Sequence, residues 1–210
     1  MQDLNALTLT DIEHCLLRPE NASYDLPRHM LDADLSPAGV LIPFVRVADS
    51  WHLLYIRRAE LKRDTHSGQV AFPGGKFDET DTDLVDTALR ETHEEIGVDP
   101  ADIRVLGQLG SHHSASRFQI TPVIGHIPWP YSLTLQESEV ARVFSMPLNW
   151  LADPDNYEMR ERLFPGAPQP VKVAYYKEYE NELLWGATAR MTLSLIKLLQ
   201  LCRQDNPPED

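Results

Sequence analysis

The chain has 210 residues, enough for one buried core with extensions but short for two full domains at roughly 100–200 residues each. Apolar residues make up 42% and charged residues 24%, the usage of a folded globular domain and not of a disordered chain. Lys and Arg total 19 against 32 Asp and Glu, a formal charge of −13, which disfavours nucleic acid as a partner but admits a small phosphorylated molecule if some carboxylates hold divalent cations.

The N-terminal MQDLNALTLTDIEHC has no basic region followed by an apolar block, and no run approaches the roughly 18–20 apolar residues of a membrane span, so neither secretion nor membrane insertion is expected. Residues 7–17, with Leu7, Ile12, Leu16 and Leu17 apolar and Thr8 or Thr10 as caps, read as a short amphipathic helix. Residues 19–37 are broken by Pro27 and read as an irregular connection, so the main domain is expected over 37–203, preceded by a helix and connection at 1–36 and followed by a polar tail at 204–210. AGVLIPFVRVAD and WHLLYIRRAEL are strand-length apolar segments around Asp49-Ser50, a predicted hairpin. Residues 62–68 are basic and polar; Gln69-Val70-Ala71-Phe72 is a further short strand, stopped by Pro73-Gly74-Gly75.

Good helix formers fill 83–96, with Asp81, Thr82 or Asp83 as N-cap and Gly97 as terminator. Strands are predicted at 103–109 and 119–127, with HHSASR connecting them as a loop. His112 and His113 are adjacent and lack a third ligand at metal spacing, so they are read as loop histidines. Residues 149–172 read as loop, VAYYKEYENELLWG as two strands around Glu180-Asn181, and 187–201 as a closing helix. Tyr175, Tyr176, Tyr179 and Trp185 are assigned to the core or a subunit contact in preference to stacking on an adenine. Cys15 and Cys202 lie near opposite ends in no metal-ligand or CxxC spacing, which makes free thiols and a cytoplasmic location the default.

The chemistry concentrates at 74–98. On a wheel of 100° per residue with Glu91 at zero, Glu94 falls near about −60° and Glu95 near about +40°, so three carboxylates form one acidic stripe. Val85, Leu89, Thr92 and Ile96 occupy the adjacent arc, expected to face a sheet while the stripe faces a cleft. Like charges at this spacing repel, and a hard divalent cation such as Mg²⁺ or Mn²⁺ would compensate them. A solvated acidic face is the plain alternative. Pro73-Gly74-Gly75 argues against it, because glycines let backbone oxygens approach a ligand and share a metal with the helix carboxylates.

Gly75, Arg90, Glu91, Glu94, Glu95, Gly97 and Val98 resemble the Nudix box: Gly, five residues, Glu, seven residues, Arg-Glu, an apolar residue, any residue, Glu-Glu, any residue, Gly, apolar. Its Arg-Glu-x-x-Glu-Glu-x-Gly part should arise by chance in a chain this long with a probability of about 10⁻⁴. The spacing from Gly75 to Arg90 is one residue longer, Thr92 replaces an apolar residue, and the middle Glu is missing, with Asp81 nearest its place. Upstream, LLYIRRAELKRDTHSGQVAFPGG is similar to the signature of the coenzyme A diphosphatases of that family. Arg58 and Tyr55 replace its usual Ser and Thr, and the stretch between Leu61 and His66 is longer.

The resemblance implies an α+β Nudix fold, a mixed β-sheet sandwiched between α-helices, with extra helices at both ends. It implies a hydrolase that uses Mg²⁺ or Mn²⁺ to cut coenzyme A or a derivative to 3′,5′-ADP and 4′-phosphopantetheine. The rivals are hydrolysis of another nucleoside diphosphate derivative, such as ADP-ribose or a dinucleotide, and a non-catalytic nucleotide-binding regulator. Glu91 and Glu95 are the first expected metal ligands, Glu94 a third, and the Gly75 carbonyl a fourth. Arg90 is expected to orient a carboxylate. The general base is expected either from the box helix, where Glu94 is the catalytic candidate, or from a later loop, where Glu139 and Glu137 are the nearest acids, a plain surface acid being the alternative reading of both. Arg57, Arg58, Lys62, Arg63 and His66, with Gly74, are assigned to substrate phosphates, and a homodimer is the default assembly.

Overall fold

In the computed structural model, residues 3–18, 35–60, 67–114, 116–164 and 169–205 are described. Helix α1 (Leu9–Leu16) starts at a capping box: the Thr8 hydroxyl accepts from the Asp11 N–H while the Asp11 carboxylate accepts from the Thr8 N–H. Strands β1 (Ser36–Val47) and β2 (Ser50–Arg58) form the predicted hairpin, with Phe44 opposite Leu53 and Val47 opposite Ser50. Then follow β3 (Val70–Ala71), β4 (Gly74–Lys76), α2 (Leu84–Ile96), β5 (Arg104–Gln108), β6 (His112–His113) and β7 (Phe118–His126). The chain ends with β8 (Val140–Pro147), α3 (Leu148–Ala152), β9 (Tyr157–Arg162), β10 (Val171–Tyr176) and α4 (Gly186–Asp205).

The pairing of β1 positions the site. Its upper half pairs with β2 at 44–47, but its lower half, at 38–40, pairs with β4. The hairpin therefore forks, and the chain from β3 on β2 to β4 on β1 fills the opening; the Leu41 N–H donates to the Pro73 carbonyl at 2.8 Å across it. Filling the fork satisfies backbone groups that would otherwise be stranded. The other edge of β1 runs parallel to β7, which carries β5 and β6 on its far side, and β8 lines the outer edge of β2.

Both faces of this mixed sheet are covered, which explains why its central strands are apolar without a gap. Leu41, Val45, Leu54 and Ile56 pack under α2 with Ala88 and Ile96. The alternate residues Ile42, Phe44, Leu53 and Tyr55 pack under α1, α3 and α4 with Ile12, Leu151 and Leu195. No described helix is long and apolar enough to cross a membrane.

The structure departs from the sequence reading in several places. Gly74–Lys76 is a strand and not a loop, β8 was not predicted, and residues 182–185 make isolated bridges instead of a second strand. Three further differences bear on the site or its surroundings. His112 and His113 form a short strand paired to Ile120 and Gln119 and are both buried, because β7 offers a free edge beside β5. Residues 149–172 are more ordered than a loop: β9 pairs with β10 from Tyr157–Tyr176 to Arg162–Val171. Cys15 and Cys202 are joined as a disulfide across 187 residues of sequence, with Cα atoms 5.8 Å apart, because α1 packs beside α4. The connection at 19–34 and the tail from 206 lie outside the described residues.

Candidate active site

Helix α2 is fixed at both ends by local chemistry. The Asp83 side chain accepts from the Val85 and Asp86 N–H groups, and Gly97 closes the helix in the left-handed region at φ 73°. Its seat on β1 depends on Gly39, where a Cβ would overlap the Leu84 carbonyl oxygen and stand 3.1 Å from Thr87 Cβ. That close approach rolls the helix onto Thr87, Ala88, Thr92, Glu95 and Ile96, leaving Val85 and Leu89 only partly buried. The acidic stripe is consequently graded, not uniform: Glu95 is 2% exposed, while the Glu91 and Glu94 side chains are 18% and 57% exposed.

Glu95 is held by the loop backbone, whereas Glu91 and Glu94 share Arg90. Glu95 Oε2 accepts from the Gly74 N–H at 2.9 Å. Gly74 must be glycine, since its φ is 149° and a Cβ would lie 2.5 Å from the Val40 Cα. At Gly75 a Cβ would fall 2.5 Å from Glu91 Oε1, so the loop backbone lies directly against that carboxylate. Arg90 donates from Nη1 to Glu91 Oε1 at 2.8 Å and to Glu94 Oε2 at 3.2 Å, and from Nη2 to the Lys76 carbonyl at 3.3 Å. Its Nε and Nη2 reach Asp81 Oδ1 and Oδ2 at 2.7 and 3.0 Å, a bidentate pair. Asp81, the residue nearest the place of the absent Glu, accepts further bonds from the Thr87 hydroxyl and the Asp78 N–H.

The electrostatics follow from this geometry. Hydrogen bonding to Arg90 holds the Asp81 carboxyl well below the usual carboxylate range. Burial pushes Glu91 up and Glu95 up to about 8; the Gly74 N–H opposes the shift at Glu95, while the neighbouring charges of Glu91 and Glu139 add to it. Glu139 is therefore within electrostatic reach of both. The Glu139 carbonyl also accepts from the Ala59 N–H at 2.7 Å, and the adjoining loop docks on the end of α2 through Gln136 N–H to Glu95 carbonyl at 2.9 Å. Glu137 is exposed.

These donors suit a hard divalent cation. They are oxygens only, gathered against their own repulsion in partial burial, and added positive charge would reverse the upward shifts of Glu91 and Glu95. Among the described residues no three Asp, Glu, His or Cys side chains already converge on one point. Arg90 holds Glu91 and Glu94 by one oxygen each, Oε1 and Oε2 respectively, which leaves their other oxygens for a cation.

Beside the loop a cavity of about 830 Å³ opens between β4, the β9–β10 hairpin and α4, within the size range of small-molecule sites. Among its described lining residues the charged ones are Arg58, Lys76, Lys172, Arg190 and Lys197, with no carboxylate. Arg58 and Gly74 meet there, and Arg58 acts on Glu95 electrostatically. Arg57 does not reach it, lying 3.2 Å from Glu60 and 3.8 Å from Glu182. Lys62, Arg63 and His66 lie outside the described residues. Burial drives His112 down to about 3, so it stays neutral beneath Arg190. Tyr176 is in the core, whereas Trp185 lines the cavity and stacks on Tyr175 at 5.5 Å.

Lys172, Arg190 and Lys197 are absent from the sequence reading. The signal available for two of them is that Arg190 and Lys197, seven residues apart on one stripe, are the only charged residues of the predicted closing helix at 187–201.

Residues 36–165 match the model of the NUDIX domain, which spans the fork, the Gly74-Gly75 loop and α2. The chain is 38% identical over 187 residues to Nudix hydrolase NudL of Citrobacter koseri, covering 88% of this chain and 91% of that one. It is 36% identical over 189 residues to NudL of Escherichia coli, covering 89% and 92%. A solved Nudix hydrolase from M. smegmatis, RenU, shares the fold with a TM-score of 0.51 at 15% identity, over 83% of this chain and 89% of that one. Nudix hydrolases generally use divalent metals such as Mg²⁺ or Mn²⁺, in keeping with the oxygen-only donor set on α2. With glutamates seated against a glycine loop, an arginine clamped by Asp81 and a match along most of its length, the chain belongs to the Nudix hydrolase family.

Proposed function

We propose that this protein hydrolyses the diphosphate of coenzyme A, or of a derivative, to 3′,5′-ADP and 4′-phosphopantetheine. The observation that carries the reading is the juxtaposition of the α2 carboxylates with a cavity whose charged lining, among the described residues, is cationic, in a chain of net charge −13. The coenzyme A signature upstream of the loop narrows the diphosphate to this one.

Glu91, Glu95, Glu94 and the Gly75 carbonyl would hold the cation, Mg²⁺ or Mn²⁺. When bound, it screens the phosphate charge and acidifies water for attack on phosphorus. Arg58 and Lys76 neutralise the substrate's diphosphate from the cavity side, and Arg90, clamped by Asp81, keeps Glu91 and Glu94 in place. In the reaction the water oxygen bonds to one phosphorus, the bridging P–O bond breaks, and the water proton passes to a carboxylate. Glu139 is proposed for that proton because it faces Glu91 and Glu95 without being tied by Arg90.

A panel of coenzyme A, ADP-ribose, NADH and capped dinucleotides tests the substrate. Coenzyme A should be turned over fastest, and turnover of ADP-ribose with coenzyme A untouched would replace this reading with its first rival. Glu95→Gln should abolish metal-dependent turnover while leaving the circular dichroism spectrum unchanged; full activity in that variant would put the chemistry elsewhere.

A further inference from the structure

Apart from Lys172 on β10, the described cations that face the cavity fall into two groups, and the proposed chemistry uses only one. Arg58 and Lys76 stand by the catalytic loop. Arg190 and Lys197 stand on the opposite wall, on α4. With Ser194 they occupy positions i, i+4 and i+7, one stripe of the helix turned to the cavity. Lys197 by itself would be an ordinary solvated lysine. Arg190 is different: it is half-buried, and its Nη2 donates to the His113 carbonyl at 2.9 Å, which fixes the guanidinium over β6.

The sheet gives the distance between the two groups. Lys76, Ala38, Ile120 and His112 lie on one rung across β4, β1, β7 and β6. At about 4.8 Å per strand the His112 position is about 14 Å from that of Lys76. Anchored over β6, Arg190 lies three strands away from the cations of the loop, farther than the neighbouring phosphates of one diphosphate stand apart, so the two groups suit two separate anionic groups of one ligand.

We propose that Arg190 and Lys197 form a second anion subsite, which takes a phosphate monoester carried on the sugar of the nucleotide while the diphosphate lies at the glutamates. On the coenzyme A reading above, on which this rests, the group is the 3′-phosphate. The subsite would set specificity, since neither residue touches the reacting atoms. Its loss should appear as weaker binding of the phosphorylated sugar without slower chemistry on a substrate that lacks that phosphate.

Binding and turnover test it separately. By calorimetry, 3′,5′-ADP should bind the wild type at least about tenfold tighter than 5′-AMP. Arg190→Gln and Lys197→Gln should each erode that difference, and Arg190→Lys should restore part of it. In turnover, Arg190→Gln should raise KM for coenzyme A about tenfold while kcat/KM for 3′-dephospho-coenzyme A stays within twofold. Lys197→Gln changes an exposed residue, and so reads the subsite even if Arg190→Gln disturbs the fold. Equal affinity for the two nucleotides, or equal losses on both substrates in the variants, overturns the subsite. Failure to cleave either substrate, with the 3′,5′-ADP preference intact and sensitive to Arg190, upholds the subsite and overturns the coenzyme A reading instead.

Discussion

Asp81 shows how far a single residue could be read in advance. The sequence places it nearest to a carboxylate missing from the box, and the structure has it clamping Arg90 through two hydrogen bonds. Its place beside the box was legible because loop and helix are adjacent in sequence, but its pairing with Arg90 was not read. The burial of Glu95 was not legible, because a helical wheel contains no information about Gly39 on β1, which lets the helix come close enough to roll. Asp81→Asn should cost on the order of 2 kcal/mol in chemical denaturation, the scale of a hydrogen-bonded charge. It should also lower kcat as Arg90 loses its anchor. Because the Asp81 carboxyl is depressed in the folded state, its contribution is complete above its unfolded pKa near about 4 and is lost as pH falls further. Stability against pH should therefore drop below about pH 4 in the wild type and more shallowly in Asp81→Asn; parallel curves would remove Asp81 as a source of acid lability.

The elements that repeat a clear period, α1, α2, α4 and the β1–β2 hairpin, are those the sequence announced. The fork in that hairpin was not visible, since an apolar strand looks the same whichever neighbour takes each half of its edge. Strand β9 was missed for a different reason. Its sequence, YEMRER, has no apolar alternation, and it is held by β10 and by stacking of Arg160 over Tyr175 and Arg162 over Trp185, at 4.7 and 4.6 Å from the ring centroids. Strand β8 has the residues of a strand, yet the sequence reading assigned it no element. The closeness of α2 to β1 is the element-level feature on which the site depends most. Gly39→Ala should cost about 1–3 kcal/mol through overpacking and should depress metal-dependent activity, because the shift separates Glu95 from the Gly74 N–H. Wild-type stability and turnover in that variant would mean the seat is looser than the contacts at Gly39 imply.

On the scale of the whole molecule, two distributions matter that linear spacing conceals. The cysteines look unrelated along the chain, but they join α1 to α4 and so close nearly its whole length into one loop. Intact mass without reductant should show two fewer hydrogens than after reduction, and Cys15→Ser should lower the melting temperature, with about 3–5 kcal/mol at stake for a loop this long. A mass unchanged by reductant would contradict the link. The charges are likewise segregated. The net −13 disfavours polyanions at long range, whereas the described residues of the cavity wall present cations and no carboxylate beside the glutamates that would hold a metal. That segregation underlies the central claim, and one measurement tests it most directly: mass analysis of the products formed from coenzyme A with Mg²⁺ in ¹⁸O-labelled water. The account predicts 3′,5′-ADP and 4′-phosphopantetheine, with label on one of the two newly separated phosphates. Intact coenzyme A beside active turnover of ADP-ribose, or cleavage at any other bond, would contradict it.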